Sequence, residues 1–229
     1  MSGLPQPLAD DEASLESEAL EVVVVDDDEA VRSSLEELFI SVGLRVRSYG
    51  SSQAFLTAGI PQGPSCLVLD VRLPEESGLK LQERLNEHGV QLPVIFITAH
   101  ADVPMSVRAM KHGAANFLPK PFRDQELLDA VWEALHAEAA RHRRRHVEDG
   151  LKRLAQTLTP REIQILRAVD RGLLNKQIAH ELGIAEITVK MHRSNAFRKL
   201  KAKSVADMIL KIRSLDLDGL AEPKGPARR

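Results

Sequence analysis

The chain has 229 residues, room for two ordinary domains at about 100–200 residues each, and its formal net charge of −2 conceals an uneven distribution. Residues 1–140 carry 10 Lys and Arg against 23 Asp and Glu, a net of −13, whereas residues 141–229 carry 21 against 10, a net of +11. The single cysteine, Cys66, excludes an internal disulfide and zinc motifs built on paired cysteines, and no apolar run approaches the roughly 20 residues of a membrane span.

An acidic half suits a cation site, and a basic half calls for a polyanion, nucleic acid first, in preference to a merely solvated charged surface. The N-terminus is acidic where a signal peptide would be basic, so a soluble cytoplasmic protein without a membrane partner is expected.

Residues 1–19, with Pro5, Pro7, Asp10, Asp11, Glu12, Glu16 and Glu18, have little to bury and read as a disordered acidic extension. Val22-Val23-Val24-Val25 then runs into Asp26-Asp27-Asp28, the pattern of a strand buried on both faces and ending in carboxylates. Val31, Leu35, Leu38 and Val42 follow at helical spacing up to Gly43. Val46 and Tyr49 mark a second strand, and Ser51 caps a helix bearing Phe55 and Leu56. Cys66-Leu67-Val68-Leu69 leads into Asp70 as a third buried strand. Gly78 opens a helix with Leu79, Leu81 and Leu85, closed by Gly89; Val94 to Thr98 is a fourth strand. A helix from about Val103 to Lys111 ends at Gly113, and Asn116-Phe117-Leu118-Pro119 makes a fifth strand. Five alternations of strand and helix predict a doubly wound, five-stranded parallel α/β sheet.

From Asp124 the pattern becomes one long helix, apolar at Leu127, Leu128, Val131, Trp132 and Leu135, charged through His146, and apolar again at Leu151 and Leu154, with Gly150 its weak point. Its first part should pack on the sheet of a domain at residues 20–136, and residues 137–157 should form a helical linker. His142 and His146 have metal-ligand spacing, but Arg141, Arg143, Arg144 and Arg145 repel a cation there and favour a solvated basic helix. Residues 158–218 read as an all-α four-helix domain followed by a flexible tail, 219–229. Thr159-Pro160-Arg161-Glu162 is a capping box with proline at the first helical position. A short helix from Asn175, a turn at Gly183 and a longer basic helix over Glu186–Leu200 make a helix-turn-helix, and Ser204 caps a last helix.

In an open parallel sheet, ligands bind outside the carboxyl ends of the strands where strand order reverses. Asp26, Asp27 and Asp70 converge there, and close carboxylates repel unless a cation holds them, so a Mg²⁺ site is expected. Phosphoryl transfer needs a nucleophile, a metal and fixed donors. Asp70 supplies the first, Asp26 and Asp27 the second, and the Thr98 hydroxyl and Lys120 ammonium, aimed by Pro121, the third. In the basic half, Val189, Ala196 and Leu200 turn inward, leaving Lys190, Met191, Ser194 and Arg198 to face a major groove, Met191 against a thymine methyl. Lys176, Thr188, His192 and Lys199 suit phosphates. Ala185 leaves this helix without a hydroxyl cap, worth about 1 kcal/mol. One such unit reads few base pairs, so paired half-sites and a dimer are expected.

Val25-Asp26-Asp27-Asp28, Leu69-Asp70-Val71-Arg72-Leu73-Pro74, Ile97-Thr98-Ala99-His100 and Lys120-Pro121-Phe122 resemble the receiver domain of two-component response regulators. Leu158-Thr159-Pro160-Arg161-Glu162, Asn175-Lys176-Gln177-Ile178-Ala179 and Thr188-Val189-Lys190-Met191-His192 resemble their LuxR/NarL-type DNA-binding domain. From about residue 20 to 215 the chain is similar to the FixJ, TodT and StyR group.

The resemblance implies a CheY-like, flavodoxin-like strand order 2-1-3-4-5. It implies phosphorylation of Asp70 by a sensor histidine kinase, and Mg²⁺ held by Asp27, Asp70 and the main-chain carbonyl of Arg72, with Asp26 assisting. Thr98 and Phe117 would form the switch pair, and the region around Val103 to Phe117 would pair two receivers on phosphorylation. Double-stranded promoter DNA and RNA polymerase would be the partners, with Val205, Met208 and Ile209 as contacts of a second dimer face. Arg72 and His100, each two positions past a site residue, would control water access and the lifetime of the phosphate.

Two other readings compete. A phosphatase with an aspartate nucleophile carries a second acid where this chain has Arg72. A pseudoreceiver controlled by a partner has no need of the full set Asp27, Asp70, Thr98 and Lys120.

Overall fold

The computed structural model describes residues 20–74 and 76–215. The acidic extension at 1–19, the last residues of the expected DNA-binding domain and the tail at 219–229 lie outside the described residues. The chain divides into two compact units between residues 143 and 144.

The first unit is built on β1 (Glu21–Val25), β2 (Arg45–Tyr49), β3 (Ser65–Asp70), β4 (Val94–Thr98) and β5 (Asn116–Pro119). All pair in parallel in the order β2-β1-β3-β4-β5, in the expected CheY-like arrangement. The central strands have no solvent face, which is why Val22–Val25, Cys66–Leu69 and Val94–Ile97 are continuous apolar runs. Alternation along each strand still assigns its residues to two layers. Val22, Val24, Cys66, Val68, Ile95 and Ile97 pack with Leu35 and Phe39 of α1 (Glu29–Ser41) and Leu127, Val131 and Leu135 of α5 (Asp124–Gln156). On the opposite face Val23, Val25, Leu67, Leu69 and Phe96 pack with residues of three helices: Phe55 of α2 (Ser52–Ala58), Leu81 and Leu85 of α3 (Gly78–Glu87), and Ala109 of α4 (Val103–Lys111). Fully burying one such side chain stabilises by about 1.5–3 kcal/mol.

α5 continues past the expected domain boundary at 136. His142 Nε2 lies 2.9 Å from the Gln62 carbonyl oxygen, so the helix is still tied to the first unit six residues into the stretch read as linker. At its other end Ala155 is buried among the helices of the second unit, with Leu151 and Leu154 packed beside it. Both ends of the linker therefore have structural duties.

The second unit holds α6 (Pro160–Asp170), α7 (Asn175–Leu182), α8 (Glu186–Lys199) and α9 (Val205–Ser214). Ile165, Leu166, Ile178, Val189, Ala196, Leu200, Met208 and Ile212 form its core. The Thr159–Glu162 capping box is formed, with each residue's side chain accepting from the other's N–H. α8 has no side-chain cap at Ala185.

Candidate functional site

All five strands point one way, and β1 lies between β2 and β3, so the order reverses beside β1 and a crevice opens at the ends of β1 and β3. Asp26 and Asp27 follow β1, Asp70 ends β3, Thr98 ends β4 and Lys120 follows β5. One carboxylate oxygen from each of Asp26, Asp27 and Asp70 lies within 4.8 Å of the others. Asp26 is fully buried and Asp70 nearly so, while Asp27 is exposed. Lys120 Nζ donates to Asp26 Oδ2 at 2.6 Å and to Asp70 Oδ2 at 3.3 Å. The remaining Asp26 oxygen accepts from the Asp28 N–H, and Asp70 Oδ1 accepts from the Arg72 N–H.

Burial raises the Asp26 carboxyl above its ordinary value, and the Lys120 hydrogen bond opposes this without cancelling it. For Lys120 burial acts downward, but hydrogen bonds and charge from Asp26 and Asp70 outweigh it, and its pKa is raised. Three carboxylates against one ammonium leave a formal excess of two negative charges around hard oxygen donors. That donor set fits a divalent cation of the Mg²⁺ type.

Two supporting residues carried no sequence signal for this site. Arg32 Nη1 donates to the main-chain oxygens of Asp26 at 2.8 Å and Asp27 at 3.0 Å, pinning the acidic loop to α1. Gly78 passes so close to β3 that a Cβ there would lie 2.3 Å from the Asp70 carbonyl oxygen. Asp28, read only as part of the acidic run, is the N-cap of α1 and accepts from the Ala30 and Val31 N–H groups.

Thr98 is buried, and its Oγ1 accepts from the His100 N–H at 3.3 Å. Phe117 is half-buried on the neighbouring strand, its ring centroid 6.2 Å from that of Phe96. Arg72 and His100 are exposed.

In the second unit, Lys190, Met191, Ser194 and Arg198 of α8 are exposed, as is Lys176 of α7; Thr188 and His192 are half-buried. Lys190 makes a one-turn ion pair with Glu186. Lys199 is a correction. Its Nζ is held by the buried Glu162 Oε2 at 2.7 Å and the Thr157 carbonyl at 2.9 Å, so it secures α8 to α6 and is committed within the unit. Met208 is a second correction: at 1% exposure it belongs to the core and cannot face a partner. Ile209 packs partly against that core, and the exposed apolar residues of α9 are Val205 and Leu210.

Comparison with known proteins bears on both units. Residues 22–132 match the response regulator receiver domain, and residues 156–212 match the bacterial regulatory proteins of the luxR family. Nodulation protein W of Bradyrhizobium diazoefficiens is 52% identical over 188 residues, 82% of this chain and 83% of that protein. The chain belongs to the two-component response regulators. This response regulator is 45% identical to TodT of Pseudomonas putida over 188 residues, 82% of its own length and 83% of the relative's. The solved structure of the response regulator StyR aligns with a TM-score of 0.82 at 47% identity, covering 86% of this chain and 100% of that one. The response regulator is therefore a transcription regulator that joins a receiver to a luxR-type DNA-binding domain. Among its described residues, no helix is long and apolar enough to cross a membrane.

Proposed function

We propose that Asp70 accepts a phosphoryl group from a sensor histidine kinase, and that the resulting acyl phosphate drives receivers to pair and the basic domain to bind promoter DNA. The observation that carries this is the placement of Asp70 at a strand end, beside Lys120 and two further carboxylates at the point of order reversal. An Asp70 oxygen attacks phosphorus, the P–N bond to the kinase imidazole breaks, and the imidazole leaves with the electron pair and takes up a proton. Asp27, Asp70 and the Arg72 carbonyl, with Asp26, would hold Mg²⁺, which when bound supplies neutralising charge to the transferred oxygens.

Before transfer, Lys120 is nearer to Asp26 than to Asp70. The phosphoryl group brings a charge of about −2 and competes for that ammonium. The Thr98 hydroxyl, which accepts from the His100 N–H at 3.3 Å, turns to a phosphoryl oxygen, and Phe117 follows into the space vacated. Exposed Val103, Val107 and Met110 lie on α4, where the altered surface would pair two receivers. Arg72 and His100, exposed at the rim, would set water access to the acyl phosphate; alanine at either should change its rate of decay.

The test is intact mass after incubation with Mg²⁺ and a small phosphoryl donor. One phosphoryl adduct on the wild type and none on Asp70→Asn supports the reading. An adduct that survives Asp70→Asn overturns the assignment, and no adduct with donor or with any cognate kinase would favour a pseudoreceiver.

A further inference from the structure

We propose that Ile187 is a base-reading residue of α8 and that, with Met191, it gives this protein a preference for thymine C5-methyl groups in the major groove. The inference rests on the reading of α8 as the DNA-facing helix and adds to it a residue and a base.

Ile187 is 73% exposed and Met191 52% exposed, one helical turn apart. With Ser194 and Arg198 they fall at positions i, i+4, i+7 and i+11, a single stripe along the helix. The fully buried Val189, Ala196 and Leu200 occupy the opposite side. An isoleucine turned away from the core of its own unit has no intramolecular reason to be apolar. The stripe is also graded: its N-terminal half is apolar, and its C-terminal half ends in Arg198. Recognition helices present their N-terminal residues to base edges. Ile187 and Met191 therefore occupy the reading end, and neither offers a strong hydrogen-bond group. In the major groove thymine alone of the four bases carries a methyl group, and apolar side chains recognise it by contact.

Charge identifies the occupant. Lys190, Arg193 and Arg198 outnumber the one acid of the same helix, Glu186, in a segment of net charge +11 from residue 141 onward. A second copy of this helix would bring like charges together, whereas a duplex brings phosphates to them.

The experiment uses the full chain, with and without a small phosphoryl donor and Mg²⁺, to select duplexes from a random pool. The expected result is thymine at one or two fixed positions of each half-site. Replacing those thymines with deoxyuridine, which lacks only the methyl, should weaken wild-type binding about fourfold per methyl, the burial of one such group. The same replacement should have little effect on Ile187→Ala at the position Ile187 reads, while Ser194→Ala keeps the full penalty. A melting temperature equal to that of the wild type verifies that Ile187→Ala folds, as its exposure predicts. Selection of a specific sequence with no deoxyuridine penalty, or an equal penalty in Ile187→Ala and wild type, overturns the assignment alone. Selection of no sequence in either state overturns the DNA-reading role of α8, and this assignment with it.

Discussion

Asp26 has no solvent exposure, and a carboxylate so buried is tolerable only because Lys120 and the Asp28 N–H meet both its oxygens. Its main chain is held as well, by Arg32, which binds the Asp26 and Asp27 carbonyls with one nitrogen. Arg32→Ala should therefore loosen the loop that presents Asp27. Groups that orient ligands typically contribute 10–100-fold to metal affinity, so Mg²⁺ affinity measured by calorimetry should fall about tenfold with helix content unchanged. Equal affinity would mean the loop holds its shape without the guanidinium. At Gly78 the constraint is steric. A methyl group directed at the Asp70 carbonyl from 2.3 Å must displace α3 or β3, and overpacking of this kind costs about 1–3 kcal/mol. Gly78→Ala should lower the melting temperature and slow phosphoryl uptake together; an unchanged melting temperature would show that α3 shifts freely.

Among the elements, the clearest junction is that of α6 and α8. Glu162 accepts from the Thr159 N–H and from Lys199 of α8. Burial acts to raise the Glu162 pKa, but the hydrogen bonding of Lys199 and Thr159 outweighs it and holds the carboxyl below its ordinary value. A lowered folded pKa contributes stability above the usual glutamate range and loses it as pH falls through the folded value. Glu162→Gln should therefore melt below wild type at pH 7, and the two curves should converge as pH falls through and below about 4. A gap that persists at low pH would mean the loss was packing alone.

The same junction marks where the sequence was and was not legible. Strand ends at Val25, Asp70 and Thr98 could be read because buried apolar runs and the polar residues that close them obey a local rule. Lys199 could not be read as internal, since a lysine on a basic helix takes its meaning from a glutamate 37 positions away. Met208 shares helical spacing with exposed Val205, and only packing against the other helices separates them. Ile187 ran the other way, an apolar residue that the tertiary fold leaves outside. Arg32 and Gly78 act on backbone atoms, which no side-chain pattern records.

At the scale of the molecule, the acidic receiver and the basic DNA-binding domain are joined through one helix, Asp124–Gln156, whose ends are anchored in different units. The proposed phosphoryl site and the proposed recognition helix share no residue, so any coupling between them would be a difference in free energy between states of the whole chain. A local charge of about −2 becomes a change in DNA affinity only if a bistable element is biased by it. The proposed pairing of receivers would provide one, because a dimer engages two half-sites and the second engagement is intramolecular. Typical coupling energies of about 1–3 kcal/mol correspond to about 5–150-fold in affinity.

The measurement that tests this account most directly is promoter-DNA affinity at fixed salt, for wild type and Asp70→Asn, each with and without Mg²⁺ and a phosphoryl donor. The account predicts that wild type with donor binds at least about fivefold tighter than the other three samples, which agree with one another. Equal affinity in all four, with the wild-type adduct verified by mass, would contradict it.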